Sequence, residues 1–361
     1  MQWIDEADAV FRGGGVKGLA LAGALCGFAE HPTKPVRTWK SVAGASAGAI
    51  IACYLATGHD ADQMLDLMQR TSFGQFADFP LHNKLLGTGR LLFGRGMAPG
   101  KAFERWFDDV LGSATFAAVR KPAGADPPPA EGGNFGRAPA APPAALPATD
   151  PWRLKLIAVD VTGGRLLVLP GDLQAYRDPR TGRPIEPDDF PIARAARMSM
   201  SIPYFFDPVQ LQDAQGRTCL IVDGGTLSNF PVWLWDVDPK VSGHAPVRPT
   251  FGFTLSGGHG FGPPGFVSKL APWPLRFGFD IFHTAESAWD ERFVSHSTRV
   301  RTLAVDADDV GTTEFDLSQE KQQLLVSNGR AAAKSFLDSF SLEQYENTYH
   351  AGLAQSPAAA A

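Results

Sequence analysis

The chain is short of cysteine, of histidine and of any excess of positive charge, and each shortage removes a class of function. Its three cysteines, Cys26, Cys53 and Cys219, all stand in apolar segments. An odd count in such settings predicts buried free thiols and a reducing compartment, not a disulfide-stapled secreted scaffold. A formal net charge of −5 gives no electrostatic footprint for a nucleic-acid partner. No carboxylate, histidine or cysteine cluster has ligand spacing, so neither a metal nor another cofactor is expected, and activity should survive a chelator. The start, Met1-Gln2-Trp3-Ile4-Asp5-Glu6, is acidic and lacks the apolar region of a signal peptide. Ser41 to Gly58 is uncharged and about long enough to span a bilayer, but its glycines and central serine favour a turn followed by a core helix. The expectation is a cytoplasmic protein, with peripheral membrane contact and export without a cleaved signal both left open.

What the chain does have is glycine placed where strands turn into helices. Val42-Ala43-Gly44-Ala45-Ser46-Ala47-Gly48 sets a serine on a glycine-flanked turn, and Ala49 to Ala56 continues as an apolar helix. Gly44 and Gly48 give room for a strained strand-to-helix turn that lifts the Ser46 hydroxyl out of a sheet. The bland alternative is a tight turn in an Ala/Gly-rich core helix. Upstream, Ala9-Val10-Phe11-Arg12 runs into Gly13-Gly14-Gly15-Val16-Lys17-Gly18 and a second apolar helix, Leu19 to Phe28. The backbone N–H groups of such a loop can point at an anion. Downstream, the buried-strand pattern Cys219-Leu220-Ile221-Val222 ends in Asp223-Gly224-Gly225. An open sheet collects its chemistry at the carboxyl ends of its strands, so nucleophile, anion loop and carboxylate make one consistent site.

Other chemistries fit less well. Gly13-x-Gly15-x-x-Gly18 matches a dinucleotide fingerprint, but that motif wants an acidic residue about 20 positions on, at the end of a second strand. Glu30 comes too early, and the second strand runs to Ser46. A phosphate-binding P-loop needs Ser or Thr after its lysine, whereas Lys17 is followed by Gly18. The ordinary α/β-hydrolase places several strands before its serine and ends its triad on histidine. Here there is room for one earlier βα unit, and His259 is the best histidine rival, in a loop setting. Asp160, which also ends an apolar strand, is the main rival carboxylate; its Asp-x-Thr-Gly setting reads as a turn.

Four blocks together resemble the patatin-like phospholipase family. They are Gly13 to Gly18, Gly44 to Gly48, Ala195-Ala196-Arg197-Met198-Ser199-Met200-Ser201-Ile202-Pro203-Tyr204-Phe205-Phe206, and Asp223-Gly224-Gly225 followed by Asn229, Pro231 and Val232. A weaker similarity runs through Phe315-Asp316-Leu317-Ser318. The resemblance implies a Ser–Asp dyad without histidine: Ser46 as nucleophile and Asp223 as base. It also implies an oxyanion hole from Gly13, Gly14 and Gly15, joined by Ala47, with Lys17, Gly18, Gly44, Gly48, Gly224 and Gly225 as supporting motif positions. A carboxylate of ordinary pKa, about 3.9, is a feeble base for an alcohol, so partial desolvation must assist it. Ser199, Ser201, Met198 and Met200 read as packing residues, and Lys17 and Arg12 as either surface cations or contacts to a phosphate head group. The implied substrates are phospholipids, lysophospholipids or related acyl esters. A transacylase using the same dyad and a catalytically silent lipid-binding module are the alternatives.

The order of elements, with the resemblance, gives the expected fold: an α/β three-layer architecture with a mixed, mostly parallel sheet and helices on both faces. Residues 1–345 are expected as one domain, interrupted at about 121–151 by an Ala/Pro/Gly-rich insertion with too few large apolar residues to pack. Residues 346–361 read as a disordered tail. Two stretches, 73–97 and 261–282, mix aromatics with glycines or prolines, and the first carries cations as well. They suit either an acyl-chain entrance at a lipid surface or ordinary core packing.

Overall fold

The structure, a computed structural model, describes residues 5–72, 75–76, 96, 98–122, 151–235, 248–256, 277, 296–307, 310 and 317–353. Alternating burial drives the first strands together. In β1 (Glu6–Phe11), Ala7, Ala9 and Phe11 face one core and Val10 the other; in β2 (Thr38–Gly44), Val42 and Ala43 divide in the same way. These strands pair in parallel, and β3 (Leu154–Asp160), β7 (Thr250–Ser256) and β8 (Thr302–Asp306) extend the parallel set. Two antiparallel hairpins complete the sheet: β3 with β4 (Arg165–Leu169), and β5 (Val209–Gln212) with β6 (Thr218–Asp223). Pairing runs β5-β6-β3-β2-β1-β7-β8, with β4 on β3. This is the expected α/β fold with a mixed, mostly parallel sheet.

The larger core lies on the helical face. There α1 (Gly18–Glu30) is sandwiched between the sheet and the long α6 (Gln319–Ser339), with Phe28 in ring contact with Trp39, Phe251, Phe253 and Phe336. The helix α2 (Ala47–Ala56) is buried along its whole length. Next to it α3 (Ala61–Arg70) starts on a reciprocal capping box between Asp60 and Gln63. Helix α5 (Ile192–Ser199) packs against α2, β3 and α4 (Lys101–Val110). On the opposite face, among the described residues, the cover is the 3-10 turn Val232–Trp235 with Phe230, resting on Val10, Ala43, Ala45 and Ile157.

One boundary is corrected. The segment expected as a disordered tail from residue 346 is helical through Leu353, in α7 (Leu342–Leu353). Ser341 Oγ accepts from the Gln344 N–H at its start, and buried Tyr345 rests on Phe340. A serine cap followed by Leu342 and Tyr345 on one helical face is the local cause of this helix. The three cysteines are free and buried, and burial lifts the Cys26 thiol to about 11. Among the described residues no helix is long and apolar enough to cross a membrane.

Candidate active site

The turn after β2 has the strain that the sequence predicts. Ser46 holds φ 51° and ψ −128°, a left-handed conformation that a side chain rarely adopts, at about 1–3 kcal/mol. The neighbouring glycines make it possible by close approach. A Cβ on Gly44 would stand 2.2 Å from the Gly48 carbonyl oxygen, and one on Gly48 would stand 2.3 Å from the Phe11 carbonyl oxygen. The first turn of α2 therefore lies directly on the backbones of β1 and β2. Ser46 itself is 1 % exposed.

The carboxylate arrives from the opposite direction. The sequence places Asp223 at the carboxyl end of a strand aligned with the others, but β6 is antiparallel to β3, which is itself parallel to β2. Strand direction depends on remote pairing, which the apolar run Cys219–Val222 does not encode. Both β2 and β6 bond odd-numbered residues around β3: Val42 N–H donates to Arg153 O at 2.7 Å, and Val161 N–H donates to Leu220 O at 3.0 Å. Alternate residues of a strand direct their amides to alternate edges, so β2 and β6 share one edge of β3 and meet head to head. Gly44 is paired with Leu156, and Asp223 with Ala158. The chain after Gly44 must leave the sheet because β6 occupies the next place along that edge. Asp223 shares the face of its partner Ala158, the face on which α2 lies. Its Oδ1 accepts from the Gly225 N–H at 2.7 Å, and its own N–H donates to Ser201 O at 3.0 Å. A Cβ on Gly224 would stand 2.3 Å from Ile157 O, so the motif glycine fits under β3.

The glycine loop closes over the same point. A Cβ on Gly13 would lie 2.8 Å from Ser46 Cβ and 2.1 Å from Asn229 Oδ1. Gly13 is thus a spacer against Ser46, and its N–H donates to Asn229 O at 3.1 Å. The Gly13 N–H is therefore engaged by Asn229 in this structure, while Gly14, Gly15 and Ala47 are the other expected donors. Gly15 has φ 58°, where glycine is at home. Lys17 is buried, not a surface cation, and a Cβ on Gly18 would touch Met68 and Ala47 on α3 and α2. Arg12 reaches Thr254 Oγ1 at 3.4 Å.

The rival carboxylate has another role. Asp160 is a turn residue: Oδ1 accepts from Thr162 N–H at 3.0 Å and Gly163 N–H at 2.9 Å, and Oδ2 accepts from Tyr176 Oη at 2.8 Å. Burial, above all, pushes the Tyr176 phenol far above its ordinary value. His259 and nearly all of 73–97 and 261–282 lie outside the described residues. Phe76, the aromatic described in the first stretch, is packed on Phe103 and Trp106. Among the described residues no group of three or more His, Cys, Asp or Glu could hold a metal ion. Two residues of the resembling blocks to which the sequence assigns no role at the site bond directly to its backbone. Asn229 donates from Nδ2 to Gly13 O at 3.3 Å, and Ser199 Oγ accepts from the Ser46 N–H at 3.2 Å. Ser199 is therefore more than a packing residue.

Known proteins share this sequence pattern and fold. A model of the patatin-like phospholipase family matches residues 9–234. The uncharacterized protein YqhO of Bacillus subtilis (strain 168) is 33 % identical over 338 residues, covering 91 % of this chain and 97 % of YqhO. The crystal structure of VipD from Legionella pneumophila superposes with a TM-score of 0.50 at 16 % identity, over 93 % of this chain and 67 % of VipD. That of the type III effector ExoU of Pseudomonas aeruginosa gives 0.44 at 17 % identity, over 96 % of this chain and 54 % of ExoU.

Proposed function

This chain belongs to the patatin-like phospholipase family, and from that premise we propose that it is a serine acyl-ester hydrolase cleaving fatty-acyl esters of phospholipids or lysophospholipids. The observation that carries the reading is the meeting of β2 and β6 at one edge of β3, with the strained Ser46 turn on one side of the junction and Asp223 on the other. In this mechanism Ser46 Oγ attacks the ester carbonyl carbon while its proton passes to the Asp223 carboxylate. The carbonyl oxygen becomes an oxyanion facing the N–H groups of Gly14, Gly15 and Ala47, and one well-aimed donor is worth roughly 3–4 kcal/mol. Collapse expels the alcohol, which takes the proton from Asp223. Water then repeats the sequence on the acyl-enzyme, with Asp223 again as base, and releases the fatty acid.

The elements of the site suit this role. Both dyad side chains are buried, which disfavours hydration of the carboxylate and strengthens its interaction with the attacking hydroxyl. The Gly225 N–H fixes Oδ1 and so fixes the direction of the carboxylate.

A fluorophosphonate ester mimic, read by peptide mass, tests the reading on the wild type, Ser46→Ala and Asp223→Asn. A label on Ser46 that vanishes in the first variant and falls sharply in the second supports the dyad. A folded wild type that takes no label and turns over no acyl ester overturns it.

A further inference from the structure

Where β2 and β6 both end against β3, two backbone groups lose their sheet partners, and a single side chain takes up both. The Ser46 N–H donates to Ser199 Oγ at 3.2 Å, and the Ser199 hydroxyl donates to Ile157 O at 2.6 Å. A serine hydroxyl has one proton to give, so both directions of this bridge are fixed. Ser199, Ser46 and Ile157 are all fully or almost fully buried, and water does not compete for the bridge. Ser199 closes α5, and two residues later the Ser201 carbonyl accepts the Asp223 N–H at 3.0 Å. One short segment therefore grips the backbone amides of both proposed catalytic residues. It is anchored in turn by the buried Arg197, whose guanidinium donates to the carbonyls of Gly100 (3.2 Å), Pro99 (3.0 Å) and Asp207 (2.7 Å).

We propose that Ser199 is a positioning residue for the hydrolytic reaction. Its hydroxyl ties the Ser46 turn to Ile157 of β3 and so sets where the nucleophile stands relative to Asp223. The proposal rests on the serine-hydrolase reading of the site. A strained φ persists only where its surroundings over-determine it, and Ser199 Oγ is the acceptor that holds the Ser46 amide in that geometry. Without the hydroxyl, Ser46 can relax toward ordinary helical geometry, and Oγ moves away from the line between ester carbon and base. Misplacement of a reacting atom by about 1 Å lowers rates by roughly 100-fold.

The test compares wild type with Ser199→Ala and Ser199→Thr in three measurements: kcat and KM on a short-chain acyl ester, thermal unfolding, and amide hydrogen exchange at Ser46. A folded Ser199→Ala with kcat lowered about 100-fold, KM within about twofold, and Ser46 exchange raised about tenfold supports the proposal. Recovery of most of kcat in Ser199→Thr, which restores the hydroxyl, supports it further. Unchanged kcat, a rise confined to KM, or unchanged Ser46 exchange in folded Ser199→Ala overturns it. If Ser199→Ala does not fold, Ser199→Cys, with its weakly bonding thiol, is read by the same criteria. A wild type without ester turnover sinks the hydrolase reading, and the exchange measurement still decides whether Ser199 holds Ser46.

Discussion

Asn229 holds Gly13 at both ends of its backbone: the Gly13 N–H donates to the Asn229 carbonyl at 3.1 Å, and Asn229 Nδ2 donates to the Gly13 carbonyl at 3.3 Å. The first bond belongs to the backbone and survives substitution; the second does not. Asn229→Ala should therefore loosen the glycine loop without releasing it. We expect kcat on an acyl ester to fall roughly 10–100-fold, below the full loss of an oxyanion donor, with KM little changed. Steady-state kinetics decide this, and an unaltered kcat would remove Asn229 from the account.

The close approach of α2 to β1 gives a prediction about stability. In Gly48→Ala the new Cβ would meet the Phe11 carbonyl at 2.3 Å, and neither backbone can yield cheaply. Overpacking of this kind should cost about 3 kcal/mol. In Gly18→Ala the nearest atom is Met68 Cε at 3.2 Å, the end of a flexible side chain, and the change should stay within about 1 kcal/mol. Urea unfolding midpoints of the two variants compare them directly.

The base of the segment 121–151, expected as an insertion, carries an ion pair with a definite pH signature. Arg120 Nε donates to both Asp188 oxygens, at 2.9 and 2.8 Å, and Trp152 Nε1 donates to Oδ1 at 2.8 Å. The Arg120 bonds, chiefly, hold the Asp188 carboxyl below its ordinary 3.8. A lowered folded value means stability present above 3.8 and lost as pH falls through the folded value. The Tm of Asp188→Asn should lie below wild type at pH 7, and the gap should narrow from 3.8 downward and close once the folded carboxyl is itself protonated. A gap independent of pH would assign the loss to packing.

The same base predicts what the insertion contributes. Lys121 N–H donates to Pro151 O at 2.7 Å and Arg153 N–H to Val119 O at 3.0 Å, so the chain is already closed where the excursion starts and returns. Replacing residues 123–150 with four Gly or Ser residues should keep ester hydrolysis. It should raise stability by roughly 1–2 kcal/mol through the smaller loop-closure entropy. Loss of folding would show instead that the segment belongs to the core.

The parts of the site legible in the sequence are those with local causes. Gly44 and Gly48 are needed within one turn of Ser46, and Gly15 takes a left-handed φ next to a strand end, so composition alone exposes them. The antiparallel direction of β6 depends on pairing with β3, and Thr218–Asp223 would read the same in either direction. Ser199 sits in a helix pattern where any small residue fits, and its partners are remote in the chain. Gly13 reads as a donor because glycine loops bind anions, yet a residue more than two hundred positions away claims its N–H.

The head-to-head junction makes β3 a ruler. Each half of the proposed dyad is measured off from its own end of that strand, β2 to Leu156 and β6 to Ala158. A slip of one residue in either pairing would shift a reactive group by about 3.4 Å and turn it to the wrong face. Ser46 and Asp223, the proposed nucleophile and base, thus meet only when both registers are correct. A nascent chain carries Ser46 long before Asp223 has been made, and until the ruler is complete the two residues stand apart.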